Sequence, residues 1–369
     1  MCRSRLLRCG VAVMLLNLPL TASAEPCAEL RDQQFAQCLR TLYEQDIKQW
    51  PQPIIMGGGP WQELAPLPTR AEWLAQGQYD PQRARLGEQL FMDPQLSRSG
   101  QIACASCHEP SESFADGRRF SFGHDRLIGR RNSPAITTSA LLGPFFWDGR
   151  SKTLEEQSMH PIEDPIEMAF SVSEALARLN ADGQYPAAFA AVYGPGPITQ
   201  AQLALALADF QRSLLPQRSG LDSFMRGNKQ ALNDQQIHGL HLFRTKGHCM
   251  TCHHGAALSD RQFHNLGMTY YGRNKYEDWG RHEVTGNPVD IGKFRTPSLR
   301  QVARTGPWMH NGLFPLRGVL NMYNAGMPRP KPGPDQDNDP NFPQTSELLV
   351  PLELNRLEIA ALLAFLDAL

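Results

Sequence analysis

The chain of 369 residues is 41% hydrophobic and 20% charged, with a formal charge of −1. That length suits two domains of ordinary size, each with enough apolar residues for a core. A near-neutral balance with no polybasic run points away from nucleic acid and acidic membrane surfaces as partners.

Residues 1–24 read as an export signal. Arg3, Arg5 and Arg8 make a basic start, an apolar run extends from Val11 to Leu20, and Thr21-Ala22-Ser23-Ala24 offers an A-x-A type cleavage site. The run is too short for a permanent membrane span. Cleavage near Ala24 would leave an exported protein without a membrane span, placed in the periplasm. It would also remove Cys2 and Cys9. Residues 25–75 form an extension containing Cys27 and Cys38. An oxidising compartment favours a disulfide between them. Along one straight helix they would stand roughly 16 Å apart, so pairing requires the chain to turn back. The sequence leaves both outcomes open.

Four cysteines remain, in Cys104-Ala-Ser-Cys107-His108 and Cys249-Met-Thr-Cys252-His253. Covalent haem c needs two thiols on one short turn and a histidine directly after them to ligate iron. A zinc site would need further ligands, and no further cysteines remain to supply them. Two haem c groups are therefore expected, with His108 and His253 as proximal ligands. Leu86-Gly87-Glu88-Gln89-Leu90-Phe91 precedes the first motif and Gly239-Leu240-His241-Leu242-Phe243 the second. Gly and Phe four apart share a helix face, so each segment reads as the opening helix of a cytochrome c domain. Leu357, Ile359, Leu362, Leu363 and Leu366 recur at helical spacing and predict a closing helix over 354–369. No strand-rich section is present. The expected fold is mainly α with long loops: a first haem domain over 76–218 and a second over 219–369, joined near Leu214 to Asp222. Pro328 to Pro343, rich in Pro, Asp and Asn, predicts an exposed loop.

Further motifs follow in a fixed order. Phe146-Trp147-Asp148-Gly149-Arg150 leads to Leu154-Glu155-Glu156-Gln157, Pro161 and Pro165-Ile166-Glu167-Met168. After the second CxxCH come Phe294-Arg295-Thr296-Pro297-Ser298-Leu299-Arg300 and Pro307-Trp308-Met309-His310-Asn311-Gly312. In this order they resemble the di-haem bacterial cytochrome c peroxidase family, which includes the MauG-type protein-oxidising enzymes, over roughly residues 75–369. The resemblance implies that the first haem meets peroxide. It places Gln157, Pro161 and Glu167 on the distal side, with Glu167 as the proton shuttle. It makes Trp147 the bridge between the haems, though a core tryptophan reads the same way. It assigns one Ca²⁺ to Asn132 and the backbone carbonyls of Thr305 and Pro307, an oxygen-only set suited to calcium.

Two positions separate the branches of that family. Aligned on Leu316, the sixth ligand of the second haem falls on Tyr323, as in MauG-type members. A slip of one residue would give Met322, the ligand type of the peroxidase branch. His124 stands where that branch carries a histidine that blocks the first haem until reduction frees it; the alternative is a polar loop residue. The first reading is a periplasmic peroxidase that reduces hydrogen peroxide. Electrons from a small cytochrome c or cupredoxin would pass through the second haem to the first. The second is a MauG-like enzyme that uses peroxide-derived high-valent haem to oxidise Trp or Tyr of a partner protein. A non-enzymatic di-haem electron carrier is the third, and the distal Gln157 and Glu167 argue against it. The resemblance also implies a homodimer.

Overall fold

A computed structural model describes residue 27 and residues 29–369, apart from 274 and 335. The export segment lies outside the described residues. Helix α1 spans Asp32–Tyr43, α2 Arg70–Ala75 and α3 Pro81–Met92. The first CxxCH and a long run of turns follow, before α4 (Leu154–Glu163), α5 (Val172–Ala181), α6 (Tyr185–Tyr193) and α7 (Gln200–Ser213). The second half contains α8 (Gly220–Met225), α9 (Asp234–Arg244), α10 (His282–Thr285), α11 (Leu316–Asn324) and α12 (Arg356–Leu366). Strands β1 (Phe263–Asn265) and β2 (Lys293–Arg295) pair antiparallel, with Phe263 opposite Arg295. The fold is mainly α, as the sequence predicts.

One helix crossing is built twice. Helix α3 crosses α7, and α9 crosses α12. A Cβ on Gly87 would overlap the Ala206 carbonyl oxygen, and one on Gly239 would overlap that of Ala361. Glycine is what lets each helix pair approach so closely. Four residues along, Phe91 meets Phe210 with ring centroids 4.9 Å apart, and Phe243 meets Phe365 at 5.3 Å. The Gly-x-x-x-Phe repeat thus contacts an Ala-x-x-x-Phe repeat on the partner helix. All four helices start from side-chain caps that fix their first turns. Asp80 accepts from Gln82 and Arg83 at α3, and Thr199, Asn233 and Asn355 form capping boxes at α7, α9 and α12.

Two clusters of buried residues result. One runs from Leu86 to Phe210 and the other from Leu221 to Leu369. Leu39, Tyr43, Trp50 and Leu64 join the second cluster, so the 25–75 extension is part of that core. Arg244, fully buried, ties it down by donating to the Pro51 carbonyl (2.8 Å) and pairing with Glu63. Cys27 and Cys38 form a disulfide with Cα atoms 5.9 Å apart. Cys27 precedes α1 and Leu30 N–H bonds back to its carbonyl, which supplies the turn that pairing requires. Among its described residues, the segment 328–343 carries neither helix nor strand and is largely exposed.

Candidate active site

The two CxxCH segments form the same turn. His108 N–H bonds to the Cys104 carbonyl at 3.1 Å, and His253 N–H to the Cys249 carbonyl at 2.8 Å. His108 Nδ1 donates to the Phe114 carbonyl (3.2 Å), and His253 Nδ1 donates to the Leu258 carbonyl (3.0 Å). Phe114 and Leu258 both sit in the left-handed region, at φ 58° and 51°. That uncommon backbone turns each carbonyl onto the imidazole. With Nδ1 engaged as donor, Nε2 of each ring is left as the atom able to ligate a metal. Burial pulls both histidines below their ordinary value, which keeps them neutral as ligation requires. Each motif lines its own cavity, and none of its cysteines forms a disulfide.

The cavity above His108 is walled by Gln157, Pro161 and Glu167. Pro161 lies inside α4, where its missing N–H leaves the Gln157 carbonyl without its helical donor. The chain then folds back, with Met168 N–H on the Pro161 carbonyl (3.2 Å) and Phe170 N–H on that of Ile162 (2.9 Å). This turn returns Glu167 to the cavity. Burial pushes the Glu167 carboxyl up to about 7, reinforced by Asp164 and offset in part by Arg150. Gln211 donates to Gln157 Oε1 (3.4 Å), leaving the Gln157 amide hydrogens as donors. His124 N–H bonds to the carbonyls of Ile166 and Glu167, but its ring does not line the cavity and lies 3.5 Å from Asp125.

The cavity above His253 contains Tyr323 but not Met322; Met268 and Met309 also reach its wall. Burial pushes the Tyr323 phenol up, so an anionic oxygen there needs a cation beside it. His310 stacks on Phe294 at 3.7 Å, and its buried Nε2 has no partner among the described residues. Among the described residues, Cys252, Asp260 and His264 form the one cluster with metal-ligand spacing, but the cysteine belongs to the attachment turn.

Asn132, Pro134, Ala135, Trp147 and Arg295 line both cavities. Trp147 Nε1 donates to the Asn132 carbonyl (2.8 Å), and Arg295 N–H donates to the Trp147 carbonyl (2.8 Å). Asn132, Thr305 and Pro307 share the second cavity, and Asn132 Nδ2 donates to the Arg118 carbonyl (2.8 Å). Arg131 braces this region through Asp278 (2.7 Å) and Asp148. Paired cysteines outside any disulfide, buried histidines held neutral and orphaned polar groups in the walls fit two covalently held haems.

Two such attachment turns, with one tryptophan between them, define a di-haem c-type protein. A family model described as di-haem cytochrome c peroxidase matches residues 81–230. The methylamine utilization protein MauG of Methylophilus methylotrophus is 32% identical over 293 residues, which is 78% of this chain and 82% of that protein. Cytochrome-c peroxidase IdrP1 of Pseudomonas sp. (strain SCT) is 33% identical over 338 residues, covering 83% of this chain and 85% of its own. The crystal structure of a MauG-like protein associated with microbial copper homeostasis aligns with a TM-score of 0.70 at 31% identity, over 85% of this chain and 95% of that one. The chain belongs to the di-haem cytochrome c peroxidase family, in which peroxidases and MauG share one fold.

Proposed function

We propose that the chain is a periplasmic peroxidase that reduces hydrogen peroxide to water. Electrons from a small cytochrome c or cupredoxin enter at the second haem site and cross Trp147 to the first. The observation that carries this reading is Glu167, a carboxyl held at about 7 in the wall facing His108. Haem, bound at both sites, supplies the iron and the electron exchange. The protein supplies proton handling. Peroxide must lose a proton from one oxygen while the other gains one and leaves as water. Glu167 accepts the first at a carboxylate oxygen and returns it to the departing oxygen; a carboxyl balanced near neutrality does both. Gln157 amide hydrogens orient the substrate oxygens. One peroxide takes two electrons and two protons and yields two waters.

Tyr323 supports a second reading, oxidation of Trp or Tyr on a partner protein. A tyrosinate ligand favours ferric iron and opposes simple electron relay. Asn132 Oδ1 with the Thr305 and Pro307 carbonyls would hold Ca²⁺. A gating role for His124 in the peroxidase reading would require its ring, which stands outside the first cavity, to swing in; its main chain is bonded to the Glu167 segment. The Cys27–Cys38 disulfide supports an oxidising compartment. Among the described residues no helix is long and apolar enough to cross a membrane. Peroxide consumption by the purified di-haem protein with reduced cytochrome c tests the proposal. Fast catalytic turnover supports the peroxidase; slow turnover with a persistent oxidised protein supports the second reading.

A further inference from the structure

We propose that Arg295 is the shared counter-ion of the two haems, binding a propionate carboxylate from each at the centre of the molecule. The inference rests on reading both cavities as haem sites. Of the residues that line both, Arg295 alone is charged. Every other arginine in either wall has a carboxylate. Arg130 pairs with Glu283, Arg131 with Asp278 and Asp148, Arg150 with Asp148, and Arg300 with Asp222. Arg295 has none among the described residues. It is 7% exposed, and its guanidinium bonds only to the carbonyls of Phe146 (3.3 Å) and Thr296 (3.2 Å). Burial of this lone cation pulls it down to about 10.

A buried charge without a partner is costly, and a bidentate fork with free donors selects a carboxylate. The protein does not provide one: no Asp or Glu lines the second cavity, and none of Asp148, Asp164, Glu167 and Glu283 in the first pairs with Arg295. The anion must arrive with the ligand, and haem carries propionates. The site is rigid, because Arg295 sits in β2 opposite Phe263 and its N–H holds the Trp147 carbonyl. One charge beside both irons opposes oxidation of each, so it raises both potentials.

The test is a redox titration of purified wild-type, Arg295→Gln and Arg295→Lys holoproteins, with the haem count and the resonance Raman propionate bands recorded alongside. Two c-type haems in the wild type establish the underlying reading; a different count removes it irrespective of Arg295. Given two haems, Arg295→Gln should lower both midpoint potentials, and Arg295→Lys should keep both near wild type while shifting the propionate bands of both haems. Unchanged potentials in Arg295→Gln, or a shift at one haem alone, would overturn the proposal. If Arg295→Gln does not accumulate, unshifted propionate bands in Arg295→Lys would overturn it as well.

Discussion

At neutral pH the carboxyl of Glu167 stands at the midpoint of its ionisation, because burial has raised it to about 7. Its carboxylate fraction grows as pH rises through that value, so the rate of reaction with peroxide should climb across the same window. The same shift makes the native state hold a proton that the unfolded chain releases above its ordinary value of 4.5, so this group costs stability as pH rises from 4.5 to about 7. Glu167→Gln should slow reaction with peroxide by roughly two to four orders of magnitude and abolish the inflection near 7, measured by stopped flow. Tyr323→Phe should alter the ferric EPR signal of the second haem, whereas Met322→Leu should leave it unchanged; the opposite pattern would move the ligand by one residue. The family resemblance pointed to Gln157, Pro161 and Glu167, and the three line one cavity. It did not single out Arg295, although the residue stood in a motif already noted, because its meaning lies in the carboxylate it lacks.

Helix pairs carry the next level. The Gly87 and Gly239 repeat was legible as a shared helix face, but its partners were not recognised. Ala206 and Phe210 in α7 repeat Ala361 and Phe365 in α12 at the same spacing, a signal present in the sequence and missed. Gly87→Ala and Gly239→Ala should each destabilise their own crossing by about 1–3 kcal/mol or more, since a methyl would meet backbone. Calorimetry on the holoprotein checks this, and unchanged melting would contradict the crossing. The fate of Cys27 and Cys38 turned on where α1 begins, which spacing alone did not fix. Cys27→Ser should lower stability by about 2–4 kcal/mol under oxidising conditions and have no effect after reduction.

Across the molecule, two haem sites meet at Trp147. Their number was readable from the two CxxCH motifs. The extension was not, because its contacts with α9 and α7 depend on tertiary packing: Tyr43 bonds to His241 Nδ1 in α9 at 3.1 Å, and Trp73 donates to the Arg212 carbonyl in α7 at 2.7 Å. Those links bind residues 25–75 to both halves. Trp147→Phe should slow electron delivery from the second site to the first while leaving peroxide binding at the first unchanged, because the indole lines both cavities. The most direct measurement is steady-state peroxide reduction by the purified di-haem protein with reduced cytochrome c as donor, compared with Glu167→Gln. Sustained turnover is expected in the wild type and its loss in the variant. Equal turnover in the two proteins would contradict the proposal.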